Sequence, residues 1–413
     1  MKDKEGDWET MGKPIAVIGA GNGGTAIAGD LTLAGHECRL FEFKEWASNV
    51  TAVVEKGGIQ VTGVARTGFA KVALATTDIQ AVLDGAELIM VATQAVTHTR
   101  VAHTIASQVR DGQVIILWPG SGGTLEFRRI FDELEVTADV VLGEAATFPY
   151  CCRRLEGPGT VNIHRIDGPR NQVAALPASR TPELMAALEG VYDTVVPARS
   201  ILEPALYNPN IIVHPAGSLF NIGRIEHSRG EFWMYKEGIT PSVKKIIHGM
   251  DRERQAIMAA LGYTPMSYEQ VFADLFNVSV EEFALASSKG PISMQDRYVT
   301  EDVPMGVTLT ASLGRLLHVP TPTYDSIIHI ASLVKETEYY ITGRNLANLK
   351  LGGLSAAQLN EYVLTGRRPK PAPAISQRRA VPKPTAARRT KRAPASKLRS
   401  RTATRTQKKR GRK

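Results

Sequence analysis

The 413-residue chain is expected to be an α/β protein: a doubly wound parallel sheet, then an all-helical C-terminal domain, then a disordered basic tail. Three observations carry that expectation. Over the first half, short apolar runs alternate with helix-like stretches, the pattern of strand–helix–strand units in a parallel sheet. Beyond Pro204 the apolar residues recur at helical spacing instead. After Gly366 the composition collapses to Lys, Arg, Pro, Ala, Ser and Thr, with almost nothing to bury.

Residues 14–19 (PIAVIG) form an apolar, β-branched run ending at glycine, as a buried strand does. Residues 25–34 read as a helix with Ile27, Leu31 and Ala34 on one face, and Gly35 stops it. Residues 38–42 are a second strand. Residues 88–92, 114–117 and 140–143 are further strands, each followed by a turn and a helix-like stretch. Between the second strand and Leu88, residues 58–63 and 71–75 look like a small β insertion. Strand-like patterns return at 160–166 and 191–196, which puts the end of the first domain near Val196. Residues 242–261 then carry Val243, Ile246, Ile247, Met250, Ile257, Met258 and Leu261 at helical spacing before Gly262, and residues 325–340 have a similar period. The expected division is a flexible 1–12, a dinucleotide-binding domain at 13–196, a helical catalytic and substrate domain at 197–366, and a tail at 367–413.

With 43% hydrophobic and 22% charged residues, the composition is that of a globular protein. No run of 18 apolar residues exists to span a bilayer, and the polar N-terminus lacks the basic start and apolar core of a secretory signal. Cys38, Cys151 and Cys152 are too few for a disulfide framework and fit no zinc spacing, so a reducing, cytoplasmic setting and no metal are expected. The net charge of +9 conceals two regions: residues 367–413 hold 19 Lys and Arg and no acid, while the rest holds 31 basic against 41 acidic side chains.

The strongest local motif is Gly19-Ala20-Gly21-Asn22-Gly23-Gly24, a G-x-G-x-x-G that follows a strand and opens a helix. Gly19 allows the tight turn, Gly21 lets the backbone approach a pyrophosphate, and Gly24 lets helix and strand pack closely. The helix N-terminus adds unpaired N–H groups and a positive dipole end. Glu42 ends the next strand, near the offset at which a carboxylate meets ribose hydroxyls. A carboxylate there repels a 2′-phosphate, so NAD is favoured, with Lys44 leaving NADP open. Thr93 and Gln94 follow a strand whose carboxyl end faces the cofactor crevice. Gly120-Ser121-Gly122-Gly123 follows the next strand, where it covers the nicotinamide or merely turns the chain.

The second half narrows the reaction. The segment 207–226, YNPNIIVHPAGSLFNIGRIE, resembles the N-P-x-x-x-x-H-P opening of the C-terminal domain in the octopine/nopaline (opine) dehydrogenase family. Residues 144–153 (EAATFPYCCR), 251–262 (DRERQAIMAALG), 297–304 (RYVTEDVP) and 319–325 (VPTPTYD) agree in order and spacing, so the resemblance covers roughly residues 13–345. It implies reductive condensation of an α-keto acid such as pyruvate with the amine of an amino acid, using NAD(P)H. It also implies that His214 is the general acid/base and that Asp325 orients it, although Asp325 equally suits the first turn of a helix. The substrates need cations and an acceptor: Arg153 for a carboxylate, Glu144 for the amine, with Asn208 and Asn221 flanking His214 as hydrogen-bonding groups or helix caps.

Two other readings remain open at the level of sequence. A simple keto-acid or ketopantoate-type reductase shares the plan and needs no amine. A cofactor-sensing, nucleic-acid-binding protein without turnover would account for the tail. That tail has no aromatic residue for base stacking, so weak, non-specific binding to nucleic acid or another anionic surface is the partner it suggests.

Overall fold

Ile15–Ile18, Cys38–Phe41, Leu88–Val91 and Val114–Leu117 are nearly all buried, because helices cover both faces of the sheet they form. The computed structural model describes residues 14–155, 157, 159–166, 170–287 and 289–368. The expected flexible N-terminus and residues 369–413 of the expected disordered tail lie outside them.

The strands are β1 (Ile15–Ile18), β2 (Cys38–Phe41), β3 (Ile59–Gly63), β4 (Gly68–Ala70), β5 (Leu74–Thr76), β6 (Leu88–Val91), β7 (Val114–Leu117), β8 (Val141–Ala145), β9 (Tyr150–Arg154), β10 (Thr160–Ile166), β11 (Asn171–Leu176) and β12 (Val195–Pro197). Eight form the main sheet in the order β12-β11-β8-β7-β6-β1-β2-β5. From β5 to β8 all pairs are parallel, whereas β11 runs antiparallel to β8 and β12 follows β11. This is the Rossmann arrangement, with its switch point between β1 and β6.

A second sheet, in the order β4-β3-β10-β9, packs over the helix Asn22–Leu33. The expected β insertion is therefore divided. Residues 59–70 supply two strands of the small sheet, which β9 and β10 complete from far along the chain. Leu74–Thr76 instead pairs with β2 at the edge of the main sheet. The strand expected at 191–196 is only Val195–Pro197; the residues before it turn out of the helix Thr181–Leu188, with Tyr192 buried.

Beyond Leu202 the described residues form helices and turns, with one isolated bridge between Trp233 and Gly290. The helix Asn210–Leu219 is buried from Ile211 to Leu219 and runs through the middle of this half. Pro241–Ala260 and Pro322–Lys335 flank it. Glu336, at φ +49°, ends the latter, and Tyr339–Thr342 is a separate turn. Two stretches, Met234–Gly238 and Asp302–Val307, are wide π-helical turns, which are rare and recur at functional sites. Both halves belong to one compact unit. Among the described residues no helix is long and apolar enough to cross a membrane.

Candidate active site

At the cofactor loop, β1 turns at Gly19, which has φ +102°. A Cβ on Gly24 would lie 1.7 Å from the Gly19 carbonyl oxygen, so only glycine lets helix and turn approach this closely. A Cβ on Gly21 would meet nothing within 4 Å; that side of the loop is open. No side chain caps the helix Asn22–Leu33, so its first N–H groups are available to an anion. Asn22 turns its side chain to β9, accepting the Arg154 N–H at 2.9 Å.

Glu42 is buried at the same loop. Its Oε2 accepts the Ala20 N–H and the Asn49 Nδ2, both at 3.0 Å, and its Oε1 accepts the Phe43 N–H at 2.9 Å. Thr93 packs on Gly19 across the switch point, and its buried hydroxyl has no partner. Gln94 is exposed beside it. An open anion-binding helix end, a carboxylate at the second strand and an orphaned hydroxyl on the facing strand together fit a nicotinamide dinucleotide.

The second cluster centres on His214, which is only 3% exposed. Its Nδ1 lies 2.8 Å from Asp302 Oδ2, and its Nε2 lies 3.2 Å from the Tyr235 hydroxyl. The Tyr298 ring stacks on the imidazole at 3.7 Å and 9°. Asp302 and Tyr235 each belong to one of the two π-helical turns, so these wide turns deliver both hydrogen-bonding partners. A Cβ on Gly306 would lie 2.2 Å from Ile211, which shows how tightly the Asp302 turn closes on the His214 helix.

Burial, reinforced by the Arg297 charge, pushes the imidazole well below its usual range. Burial pushes the Asp302 carboxyl up, opposed by Arg297. Nδ1 is thus engaged by the carboxylate and Nε2 by the Tyr235 hydroxyl.

Two family models match the chain. The NAD-dependent glycerol-3-phosphate dehydrogenase N-terminus covers residues 14–126, and the NAD/NADP octopine/nopaline dehydrogenase alpha-helical domain covers residues 197–335. An opine dehydrogenase from Arthrobacter sp. (strain 1C) is 34% identical over 360 residues, spanning 85% of this chain and 99% of the relative. The chain belongs to the opine dehydrogenase family. It is thus an NAD(P)-dependent oxidoreductase of the opine dehydrogenase type. Protein ocs of Agrobacterium tumefaciens (strain Ach5) is 25% identical, over 83% of this chain and 96% of its own length. Among solved structures, octopine dehydrogenase with NADH and L-arginine superposes with a TM-score of 0.66 at 19% identity, covering 87% of this chain and 99% of that one.

In this opine dehydrogenase the structure pairs His214 with Asp302, not with Asp325. Asp325 lies in the first turn of the helix Pro322–Lys335, its side chain 43% exposed, bonded to Arg315 at 3.2 Å and to the Tyr340 hydroxyl. Glu144 does not face a substrate amine either. It is fully buried, accepting the Gly122 N–H at 2.8 Å and the Thr124 N–H at 2.9 Å, so both oxygens serve the loop after β7. Burial raises its pKa, and those two N–H bonds work the other way. Asn208 accepts the Asn210 N–H at 3.0 Å and so shapes the entry to the His214 helix. Asn221 donates to the Gly217 and Gly238 carbonyls, both at 2.9 Å, tying that helix to the Tyr235 turn. Neither asparagine points its bonds at His214.

Arg153 is exposed on β9, and its own hydrogen bond goes to the Cys152 carbonyl at 3.5 Å. Strand alternation sends Tyr150, Cys152 and Arg154 to the cofactor side, where Tyr150 bonds Asp30 at 2.6 Å and Arg154 donates to the Ala20 carbonyl at 3.3 Å. Cys151 and Arg153 face the other way, and the Arg153 charge bears on both His214 and Tyr298.

Sequence reasoning passed over Asp302, Tyr235, Tyr298, Arg297, Glu301 and Arg344. Four of these lie in the stretch 297–304 that carried the family resemblance, so the signal was present but not resolved to residues. Glu301 accepts the Ala95 N–H at 2.7 Å, and burial pushes its carboxyl up to about 7. Arg344, 3% exposed, donates to the carbonyls of Gly120 (3.1 Å), Ser121 (2.9 Å) and Ala95 (3.2 Å) and pairs with Glu126 at 2.6 Å. The helical half therefore grips the loops after β6 and β7, which border the cofactor crevice.

Proposed function

We propose that the chain carries out the reductive condensation of an α-keto acid with the amine of an amino acid, using His214 as the proton-transfer group. The observation that carries this reading is the buried His214–Asp302 pair, with Arg153 at its border, inside a chain of this family. A bound nicotinamide dinucleotide, held by the glycine loop, Glu42 and Thr93, supplies the reducing equivalent. Burial disfavours a charged His214, so Nε2, when the Tyr235 hydroxyl yields its bond, accepts a proton from the amino acid's ammonium group and frees the amine to attack the keto carbon. The same proton returns to the hydroxyl of the adduct, which leaves as water and yields the C=N bond to be reduced. Asp302 orients the ring through Nδ1 and stabilises the transient imidazolium. Tyr298 packs over the ring and Tyr235 bonds Nε2, which holds the imidazole in one orientation.

The test is NADH oxidation with pyruvate, with and without a mixed pool of amino acids. Turnover that requires the amine is expected. Turnover indifferent to it would replace this reading with a simple keto-acid reductase. For the cofactor, Glu42→Ala is expected to raise the KM for NADH and lower the NADH/NADPH preference several-fold; an unchanged ratio would remove Glu42 from the ribose site. With three cysteines, Cys38, Cys151 and Cys152, too few for a disulfide framework, the sequence supports a reducing compartment, which we take to be the cytoplasm. For residues 367–413 the charge supports weak, salt-sensitive binding to nucleic acid. Retention on DNA at low salt that survives their deletion would dismiss it.

A further inference from the structure

NADPH differs from NADH by a phosphate on the adenosine 2′-hydroxyl, so the charge around the end of β2 decides which of them binds. Glu42 places a negative charge there, but that charge is already engaged. Its Oε2 accepts from Ala20 and Asn49, each at 3.0 Å, and its Oε1 accepts from Phe43 at 2.9 Å. Donors of this kind stabilise a carboxylate and weaken the repulsion it exerts on another anion.

The second sheet brings a cation to the same place. β9 lies against the helix Asn22–Leu33, where the Arg154 N–H donates to Asn22 Oδ1 at 2.9 Å. The Arg154 side chain runs back over the glycine loop. Its Nη1 donates to the Ala20 carbonyl at 3.3 Å and also to Asn49 Oδ1. The other amide atom of Asn49, Nδ2, is the one that bonds Glu42. One asparagine thus stands between guanidinium and carboxylate, with Arg154 exposed and Glu42 buried. Both acceptors of Arg154 Nη1 are neutral oxygens, which leave its charge uncancelled.

Position separates a 2′-phosphate from the pyrophosphate. The pyrophosphate belongs over the uncapped N-terminus of the helix Asn22–Leu33. Arg154 reaches past Asn22 to Ala20, ahead of that helix, and to Asn49 on the helix Ser48–Lys56 that follows β2. Both contacts lie on the side of Glu42, where the ribose is held. Another arginine at this end, Arg100, is already occupied: it pairs with Glu45 at 2.7 Å and packs on the Phe43 ring at 3.9 Å.

We propose that Arg154 is the cation that receives the 2′-phosphate of NADPH, so that the chain takes both dinucleotides. The assignment rests on the cofactor reading above, in which Glu42 meets the ribose. The two side chains oppose one another. The carboxylate favours the free hydroxyl, and the guanidinium offsets its repulsion of a phosphate. Arg154 lies 105 residues after Asn49, so the sequence around β2 alone does not reveal it.

The test reads binding before turnover, through the fluorescence of the bound reduced nicotinamide. The wild type is expected to bind NADH and NADPH with dissociation constants within about 10-fold of each other. Arg154→Met should weaken NADPH by about 30-fold, as loss of a hydrogen bond to a charged group does, and NADH by less than about 3-fold. Arg154→Lys keeps the charge but not the planar fork and should weaken NADPH by about 5-fold. Arg154→Glu should weaken NADPH further than Arg154→Met. Adenosine 2′,5′-bisphosphate and AMP, used to displace NADH, repeat the comparison without nicotinamide or pyrophosphate, and Arg154→Met should lose the difference between them. Arg110→Met removes a cation before β7, at the opposite ends of the strands, and should leave every ratio as in the wild type.

NADH and NADPH weakened alike by Arg154→Met would make Arg154 a support of the loop or a pyrophosphate contact, and would overturn the proposal. A wild type that binds NADPH more than about 100-fold more weakly than NADH overturns it too. Should Arg154→Met not fold, an unchanged NADPH/NADH ratio in Arg154→Lys is equally fatal. Because these are binding constants, absence of amine-dependent turnover would sink the proposed reaction while the ratio still decides this assignment.

Discussion

His98 and His214 are both buried on helices, one in the Rossmann half and one in the helical half, at 0% and 3% exposure. Burial depresses both imidazoles well below their usual range. Their partners differ. His98 Nδ1 lies 3.4 Å from an Arg344 guanidinium nitrogen, and its Nε2 has no partner. His214 Nδ1 lies 2.8 Å from a carboxylate, and its Nε2 meets the Tyr235 hydroxyl at 3.2 Å. A cation beside His98 penalises protonation further, so that ring stays neutral and only fills its site. Arg297 and Arg153 also bear on His214, but on the proposed function the carboxylate bonded to Nδ1 would stabilise the imidazolium for the instant it exists. Depressed basicity alone therefore does not single out the histidine proposed for proton transfer; the group bonded to Nδ1, a carboxylate for His214 and a guanidinium for His98, is what differs.

The same substitution at both positions gives the largest contrast. His214→Gln is expected to lower kcat by about 1,000-fold, within the range that positioned acid–base groups supply, with KM for NADH little changed. His98→Gln should cost activity less than about 3-fold. Equal losses would mean that the partner's charge is not what separates the two rings.

Asp302→Asn comes next. The amide keeps the shape of the carboxylate but cannot balance a positive ring, so kcat should fall by about 100-fold. Unlike His214→Gln, this variant keeps Nε2 in place. Added small amine bases should therefore not rescue it, whereas His214→Gly, which leaves room for imidazole, should be rescued by it. Rescue of both alike would argue that Asp302 also transfers protons to the substrate.

His98 has a signature of its own in stability. Its folded pKa lies below its unfolded value of about 6.5. Below that pH the unfolded chain takes up a proton that the folded site refuses, so stability is present above about 6.5 and is lost as pH falls. His98→Gln removes one proton from that difference. Its unfolding free energy between pH 7 and 5 should decline less steeply than that of the wild type, by up to about 1.4 kcal/mol per pH unit. Denaturant unfolding at the two pH values reads this directly. An unchanged slope would mean that His98 is protonated in the fold despite Arg344.

The cofactor loop was legible in the sequence because its logic is local. Six consecutive residues, Gly19 to Gly24, hold the turn and the helix start, and Glu42 follows at the end of the next strand. Strand alternation and helical spacing are local too, so the sheet strands and the long helix Pro241–Ala260 were readable. The dyad is not local: His214 and Asp302 lie 88 residues apart. Both 297–304 and 319–325 carried the family pattern, and nothing in periodicity says which aspartate reaches the ring. What decides is a π-helical turn that tucks Asp302 under the His214 helix, and turn width leaves no simple residue signature. Glu144 shows the same limit, since a carboxylate after a strand serves substrate or backbone according to a loop that only the fold brings to it.

Asp325→Asn should have the smallest effect, and it tests the pairing most sharply. Asp325 shares its charge with Arg315 at 3.2 Å on a half-exposed helix turn, and surface pairs of that kind contribute about 0–1 kcal/mol. Its other partner, the Tyr340 hydroxyl, bonds an asparagine oxygen nearly as well as a carboxylate. The variant should keep kcat/KM within about 2-fold of wild type, with Tm lowered by no more than about 4 °C. If Asp325→Asn instead cost as much as Asp302→Asn, an exposed aspartate would have to reach a ring already bonded on both nitrogens. That requires the Pro322–Lys335 helix to move against the His214 helix during turnover, and the His214–Asp302 pair would then be a resting arrangement, not the working one.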